Sequence, residues 1–419
     1  DARRYRTAYA DAIAVIATRC SAHSVRDNPG VSVKLSALHP RYEPLKRQRV
    51  MSALVERTLA LALMARGANM GFTIDAEEAE RLDLSLDVIE AVLRDERLAG
   101  WDGFGIVVQA YGPRAEPLID WIAELAETLG RHVTVRLVKG AYWDSEIKRA
   151  QVLGLKGYPV FTSKAATDVS YIASARKLFE ARERLYPMFA THNAFSAAAI
   201  LHLAETMDVS RDAFEMQRLH GMGERLHEVL GAEKNTRTRV YAPVGRHADL
   251  LAYLVRRLLE NGANGSFVHM IADRDVPATE VARDPFALLT AGPLSDAIRP
   301  PLDLFGRTRR NSRGLDPGDP VALEQFEEAR AGFADTAWTA GLRSGEGRAI
   351  ANPATGSTVG EVADSTPEAI EEALVAVSAA ASDWGALPAA RLAAILRKAA
   401  DLYEDHAAAF HALCAREAG

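Results

Sequence analysis

Cysteine is almost absent from the sequence, and the two cysteines that occur lie at opposite ends of the chain. Cys20 and Cys414 form no metal-type spacing. A reduced, cytoplasmic setting is therefore the expectation. Cys414 falls within a helical pattern, which favours a core residue over a nucleophile.

The sequence also lacks an apolar run of membrane-spanning length and a signal-peptide pattern, so any membrane contact is expected to be peripheral. It has no excess of positive charge, because 50 Lys and Arg against 56 Asp and Glu give a formal net charge of −6. Nothing in this balance favours a nucleic-acid partner. The 48% hydrophobic and 25% charged content is that of an ordinary soluble globular protein, and a length of 419 residues favours two or three domains.

A strand-then-helix pattern repeats along the first two thirds of the sequence. Its clearest unit has Val133, Val135 and Leu137 at strand period, with Gly140 before a helix start. Such repeats match a parallel (β/α)8 barrel of the TIM type, which takes ~250 residues. An open doubly wound sheet is the alternative, but no Gly-rich dinucleotide turn follows the first strand. The eight predicted strands cover residues 31–38, 71–75, 103–109, 133–138, 159–164, 188–193, 213–219 and 239–244.

Polar side chains recur at or near the carboxyl ends of these predicted strands. In a barrel those ends converge on one face, where the active site lies. Any one of them, His192 or Gln217 for example, is compatible with a satisfied core residue, but seven in the same phase favour a site. The set is Lys34, Asp75, Gln109, Arg136 with Lys139, Thr162, His192 and Gln217.

Arg136 and Lys139 lie in or just beyond an otherwise apolar strand. Unpaired charges there would cost on the order of several kcal/mol, so we expect an anionic or electron-rich partner. The alternative is an internal salt bridge to a neighbouring Asp or Glu.

The rest of the sequence has a different character. The Gly/Asn-rich stretch 261–267 is compatible with a phosphate-binding loop or with a plain turn. Residues 272–343 look like a connector, and helical patterns return near 367–382 and 388–413. Because the chain begins inside a helical pattern and stops at Gly419, we expect a fragment of a longer polypeptide.

Five stretches, at 31–42, 136–144, 190–193, 217–223 and 253–261, resemble the proline dehydrogenase barrel of the proline utilisation A family of bifunctional bacterial flavoenzymes. The resemblance runs from about residue 20 to 270, and residues 346–419 resemble the opening of the aldehyde dehydrogenase module of that family. The implied organisation is an N-terminal helix at 1–20, the end of an arm; an FAD-binding barrel at 21–270; a linker at 271–345; and a truncated α/β aldehyde dehydrogenase segment at 346–419.

The resemblance implies that non-covalently bound FAD oxidises L-proline to Δ1-pyrroline-5-carboxylate by hydride transfer to flavin N5. It also implies a quinone electron acceptor, with peripheral membrane contact, and leaves a homo-oligomer open. The implied FAD contacts are Gln109, Arg136, Val138, Lys139, Trp143, Thr162, Thr191, His192, Gln217, Glu260, Ser266 and Phe267. The implied proline pocket is Lys34, Asp75, Tyr142, Leu219, Tyr241, Arg256 and Arg257, in which the two arginines would meet the substrate carboxylate.

The second activity of the family, NAD-dependent aldehyde oxidation, is not expected of this sequence. Its dinucleotide turn and its catalytic Cys and Glu would lie downstream of residue 419, so NAD is a cofactor only for that missing part. A DNA-binding module, present in some members of the family, is likewise not expected here.

Three other functions stay open at this point. A barrel with lysines at strand ends is compatible with a Schiff-base lyase that uses Lys139 or Lys164. A metal-dependent hydrolase is a weaker alternative, because no His-x-His ends the first strand. The third alternative is a non-catalytic binding barrel.

Overall fold

The computed structural model describes residues 1–251, 253–255, 257, 275, 277–290, 298–341 and 347–418. The chain divides into two compact units, Asp1–Gly314 and Leu315–Gly419. Each unit has its own sheet. None of the helices in the described ranges is long and apolar enough to cross a membrane.

The sheet of the first unit contains seven described strands, all parallel, and each pairs with the next in chain order. Parallel neighbours need a crossover on the outside, which the intervening helices provide. The strands are β1 Gly30–Val33, β2 Gly71–Ile74, β3 Phe104–Gln109, β4 Val133–Val138, β5 Leu185–Ala190, β6 Glu215–Leu219 and β7 Thr238–Tyr241.

Side-chain contacts across the inside of this sheet show that it is curled. Arg136 on β4 donates from Nη2 to Ser32 Oγ on β1 at 2.7 Å. In a flat sheet three strand spacings would separate the two strands, about 14 Å, which is too far for this bond. Arg239 on β7 donates from Nη1 to the carbonyl oxygen of Asn28, just before β1, at 2.9 Å. The TIM-type barrel predicted from the sequence is confirmed.

Helices cover the outer face of the curled sheet, where buried apolar side chains fill the space between the two layers. Phe179, Phe189 and Phe214, for example, meet edge-to-face with ring centroids 5.1–5.9 Å apart. The helices are α1 Ala2–Ala17, α2 Leu35–Leu38, α3 Arg47–Gly67, α4 Leu82–Leu93, α5 Ala115–Thr128, α6 Trp143–Leu153, α7 Lys164–Glu180, α8 Ala194–Thr206, α9 Glu224–Lys234, α10 Ala278–Val281 and α11 Pro285–Thr290. The predicted helix near 249–261 is described at 249–251, 253–255 and 257; residues 249 and 250 end a 3-10 turn, and the others are α-helical.

Residues 298–314, the strap, lie against the C-terminal end of α6. Tyr158 donates its hydroxyl to the carbonyl oxygen of Arg299 at 2.6 Å, and Asn311 donates from Nδ2 to the carbonyl oxygen of Gln151 at 2.9 Å. Gly154, which ends α6 at φ +60°, has no room for a side chain beneath the strap. The strap therefore belongs to the first unit, and it fixes the far end of the helix that begins at Trp143.

Four predicted strands differ from those observed. The strand predicted at 188–193 lies three residues earlier, at Leu185–Ala190, and the one predicted at 239–244 ends at Tyr241. The predicted strand at 159–164 is wrong, because this stretch is a loop that makes single hydrogen bonds, from Phe161 N to the Tyr111 carbonyl oxygen at 2.7 Å and from Trp143 Nε1 to the Phe161 carbonyl oxygen at 2.8 Å. Pro159 has no N–H with which to join a ladder. The predicted strand at 31–38 ends at Val33, and its second half is helix α2.

The second unit contains a three-stranded sheet, in which β10 pairs parallel to β8 and antiparallel to β9. Cys414, predicted to be a core residue, is exposed on α15, so that prediction is wrong. The elements are α12 Pro320–Ala331, β8 Trp338–Ala340, β9 Gly347–Ala351, β10 Thr358–Ala363, α13 Pro367–Gly385, α14 Ala389–Asp405 and α15 Ala407–Glu417.

Candidate active site

Asp75, the first residue after β2, is at the centre of a polar cluster inside the carboxyl end of the barrel. Its Oδ1 accepts from Arg136 Nη1 at 2.9 Å, and its Oδ2 accepts from Lys34 Nζ at 3.0 Å and from the Tyr241 hydroxyl at 3.3 Å. These four residues follow or belong to β1, β2, β4 and β7, so the strand alternation aims them at one point. The structure therefore brings together four of the residues singled out in the sequence.

Arg136 is 8% exposed and is held from three sides. Besides its bond to Asp75, it donates from Nε to Gln217 Oε1 at 2.8 Å and from Nη2 to Ser32 Oγ. Its guanidinium lies over the Tyr241 ring, 5.0 Å from the centroid. A guanidinium has five N–H donors. Bonds to the described residues use three of them, which leaves two for a further acceptor.

The cluster favours a charged Lys34. Burial lowers the pKa of Lys34, but the carboxylate of Asp75, helped by Tyr142 and Tyr241, outweighs burial and raises it well above its ordinary value. Burial raises the pKa of Tyr241, and Asp75 adds to the rise. The cluster thus joins the Lys34 amine and the Arg136 guanidinium through the carboxylate of Asp75, beside the neutral Tyr241 phenol. Tyr142 is half-buried and close enough to Lys34 to act on its charge.

His192, two residues beyond β5, is a neutral ring at this face. Burial lowers its pKa to about 4, and the charges of His227, Arg257 and Arg218 act in the same direction. Its Nε2 accepts from the backbone N–H of Leu219 at 3.1 Å, so the proton of the neutral ring is on Nδ1. His192 is therefore a hydrogen-bond donor without charge, and Arg257 lies close to it.

Lys139 follows β4 and forms an ion pair with Asp168 on α7, to which Lys164 Nζ also donates, at 3.1 Å. Burial lowers the pKa of Lys139, and the attraction of Asp168 opposes this shift. Both Arg136 and Lys139 thus have internal carboxylate partners, the alternative considered for them from the sequence. Lys139 and Lys164, the two amines considered for a Schiff-base lyase, thus both pair with the Asp168 carboxylate.

Gly140 provides a close backbone approach beside Lys139. Its φ is +132°, and a Cβ built there would meet the Tyr111 ring at 2.4 Å. An L side chain would therefore be strained as well as crowded at this position. The glycine thus allows a tight turn from β4 into α6, which begins three residues later at Trp143.

Three other predicted cofactor residues make hydrogen bonds near the carboxyl ends of their strands. Gln109 Nε2 donates to the Glu77 carbonyl oxygen at 2.9 Å, the Val138 carbonyl oxygen accepts from Ala110 N at 2.8 Å, and Thr191 Oγ1 accepts from Asn193 N at 3.1 Å. Thr162 is half-buried in the loop that replaces the predicted strand. Four predicted residues lie outside the described residues, as does the Gly/Asn-rich stretch: Arg256, Glu260, Ser266 and Phe267.

Several residues of the cluster were not singled out in the sequence. Ser32 and Glu215 each lie two positions before a predicted site residue, so the strand period alone would have pointed them into the barrel. Tyr9 on α1, whose hydroxyl accepts from Lys34 N at 3.1 Å, carries no local signal, because its position depends on how α1 packs. Asp168 carries none either, since a helix residue gives no indication of the strand it will meet.

Polar side chains gathered at the carboxyl ends of parallel strands define a TIM-type barrel with its active site at the usual face. A family model described as "Proline dehydrogenase" matches residues 1–270. The chain belongs to the proline dehydrogenase family. A second family model, described as "Aldehyde dehydrogenase family", matches residues 338–419.

Relatives with known names match the whole chain. It is 44% identical over 439 residues to the bifunctional protein PutA of Escherichia coli strain K12, an alignment that covers 100% of this chain and 33% of the relative. It is 46% identical over 432 residues to the bifunctional protein PutA of Rhizobium meliloti, covering 100% and 35%. A crystal structure of a bifunctional proline utilization A protein matches with a TM-score of 0.88 at 48% identity, covering 100% and 40%. The chain thus spans about a third of the length of these curated relatives.

Proposed function

We propose that this chain carries an FAD-dependent proline dehydrogenase site, which oxidises L-proline to Δ1-pyrroline-5-carboxylate. The observation that carries the proposal is the cluster around Asp75, in which a flavin-side cation, Arg136, and a substrate-side cation, Lys34, share one carboxylate. Family membership supports the substrate, since both the family and the relatives are named for proline. It also implies a flavin, because enzymes of this family depend on one.

The side chains at the face fit the requirements of a flavin. Its polarised ring and pyrophosphate need cationic and hydrogen-bonding donors. Arg136 has two N–H donors beyond its bonds to described residues, Lys139 is a half-buried amine paired with Asp168, and neutral His192 carries a proton on Nδ1. Gly140, which has no side chain, lets the backbone after β4 pass close to the Tyr111 ring. With the other residues predicted from the resemblance, these are the groups that we propose to hold FAD.

On the substrate side, Lys34, Tyr142, Tyr241 and Arg257 would hold proline. Arg257 is half-buried, lies over the Tyr253 ring at 5.3 Å and acts on the charge of His192, so it belongs to the same face. A guanidinium there would bind the substrate carboxylate and orient the ring.

When bound, FAD supplies a two-electron acceptor for the hydride that leaves proline C5 for flavin N5, while the amine nitrogen loses a proton. The residues of this chain would hold the carboxylate, keep the ring in place and limit water at the reacting atoms. Reoxidation by a quinone in a cytoplasmic protein with peripheral membrane contact is the further part of the proposal, and it concerns the longer relatives as much as this chain.

The test is the visible spectrum of the purified full chain after reconstitution with FAD, followed before and after anaerobic addition of L-proline. We expect a bound-flavin spectrum that is bleached by proline. Arg136→Met should lose most of the flavin, whereas Arg257→Met should keep the flavin but need far more proline for bleaching. The exposed Arg225→Met on α9 is the matched control and should behave as wild type.

Two results would contradict the proposal. One is a reconstituted chain that binds no flavin, and the other is bound flavin that proline does not reduce. Trapping of a covalent adduct with a carbonyl substrate by borohydride would instead favour the Schiff-base lyase with Lys139 or Lys164.

A further inference from the structure

Glu215, the first residue of β6, is a carboxylate that the proposed reaction does not use, and it is fully buried inside the barrel. Its Oε1 accepts from Arg239 Nε at 2.7 Å and from Gln217 Nε2 at 2.8 Å, and its Oε2 accepts from Arg239 Nη2 at 3.0 Å. Taking the Glu215 carboxylate out of water costs on the order of several kcal/mol, and pairing with Arg239, whose side chain stays 30% exposed, offsets part of this cost. Because an apolar residue of the same size often serves stability as well, we look for a role of the carboxylate beyond stability.

Gln217 connects this pair to Arg136. Because Glu215 can only accept, the Gln217 amide must turn its NH2 group toward Glu215, and its oxygen then faces Arg136 Nε at 2.8 Å. In the opposite orientation two acceptors would face each other on one side and two donors on the other. The carboxylate thus selects one of two otherwise similar amide orientations.

Arg239 anchors the far end of this arrangement. It donates to the backbone carbonyl oxygens of Arg26 at 2.7 Å and Asn28 at 2.9 Å, in addition to Glu215. A bidentate guanidinium with two carbonyl acceptors has little freedom to turn. The order of contacts is therefore Arg239, Glu215, Gln217, Arg136 and Asp75, from the backbone before β1 to the centre of the candidate site.

We propose that Glu215, held by Arg239, is a positioning residue that fixes the Gln217 amide and through it the orientation of the Arg136 guanidinium. The inference rests on the proposed function, because it takes Arg136 as a residue that binds FAD. Glu215 is not among the residues proposed to hold substrate or cofactor. It acts through the Gln217 amide, whose oxygen it directs toward Arg136.

The test measures the dissociation constant of FAD for the full chain by titration of the apoprotein, together with the thermal midpoint. Glu215→Gln keeps the size of the side chain and removes its charge. Its amide can turn either the oxygen or the NH2 group toward Gln217, so the Gln217 amide is no longer held in one orientation. We expect the affinity for FAD to fall roughly 3- to 10-fold. Gln217→Met leaves the ion pair in place and removes the acceptor of Arg136. It should weaken FAD binding by about tenfold or more, and it decides the question if Glu215→Gln does not fold.

The decisive arm repeats Glu215→Gln in a Gln217→Met background. If Glu215 acts through the Gln217 amide, the substitution should not weaken FAD binding further there, whereas a structural role would add its own loss. Glu205→Gln, which removes an exposed partner of Arg211, is the matched control and should bind FAD as wild type.

A further loss from Glu215→Gln in the Gln217→Met background, or unchanged affinity in both single variants, would overturn the positioning role. Failure of the underlying function looks different: wild type would not bind FAD, or Arg136→Met alone would bind it normally.

Discussion

The buried ring of His192 makes the free energy of unfolding depend on pH, and a substitution at this residue can isolate its contribution. Its pKa of about 4 in the folded chain is below the ordinary 6.5, so the unfolded chain binds the proton first as pH falls. The stability that neutral His192 provides is complete above pH 6.5 and is lost progressively down to about pH 4. At pH 5 the loss amounts to about 1–2 kcal/mol.

We therefore expect His192→Gln to lose less unfolding free energy than wild type between pH 7 and pH 5, measured by urea denaturation. The exposed His202→Gln on α8 is the control and should keep the wild-type difference. His227, whose pKa burial also lowers, leaves part of the pH dependence in place in every variant. An identical pH difference in wild type and His192→Gln would contradict the buried, neutral state of His192.

The residues of the site were predictable from the sequence where strand period and chemical type coincide. Lys34, Asp75, Arg136 and Gln217 follow from this rule, because a polar side chain at a strand end of a barrel points to the active-site face. The partners that these residues meet were harder to predict from the sequence. That Arg136 and Lys139 would meet Asp75 and Asp168 depends on distances across the barrel, and no local pattern records such distances.

At the scale of single elements, the cost of a side chain can be compared between two glycines, Gly154 at the end of α6 and Gly130 after α5. Gly154 and Gly130 both have φ +60°, and both follow a helix. A Cβ at Gly154 would lie 1.7 Å from the Ser312 carbonyl oxygen in the strap, whereas a Cβ at Gly130 meets nothing within 4 Å. Left-handed backbone alone costs an L-residue about 1–2 kcal/mol.

Gly130→Ala should therefore destabilise by about 1–2 kcal/mol. Gly154→Ala should destabilise by about 3 kcal/mol or more, because the strap must move in addition. Urea denaturation measures both costs, and hydrogen exchange should show lost protection at 298–314 in Gly154→Ala only. Equal costs with an undisturbed strap would show that residues 298–314 do not pack on α6 as described.

A strand could be predicted from the sequence where its apolar residues are followed by turn residues. β3 and β4 fit this description, with near-continuous apolar runs before a glycine or a polar turn. The stretch 159–164 has the β-branched and aromatic content of a strand, yet its one buried valine, Val160, packs with Tyr111 and Ile147 as part of a loop. Composition alone does not distinguish these outcomes, because both bury apolar side chains.

At the scale of the whole molecule, all described candidate site residues lie in the first unit, Asp1–Gly314. A ligand that binds one folded unit stabilises that unit alone, by about 2.7 kcal/mol at 100 times its dissociation constant. With ~2.1 cal/mol/K per residue, this raises the midpoint of a unit of this size by about 4 °C. FAD should therefore shift one calorimetric transition of the full chain and leave the other unchanged.

Arg136→Met is the control for that experiment, since its weaker FAD binding should abolish the shift at the same concentration. A shift of both transitions, or a single transition that moves as one, would mean that the two units do not unfold independently.

The strap has a consequence for the order in which this protein acquires its structure. A nascent chain leaves the ribosome from its N-terminus, and Asn311 emerges 160 residues after Gln151, the residue whose carbonyl oxygen it caps. The strands of the barrel are synthesised long before the segment that secures the outer end of α6. A ribosome-bound intermediate with the chain outside the exit tunnel up to about residue 250 would therefore have the seven strands but an unsecured α6. Protection of that helix during translation should appear only after the strap has emerged.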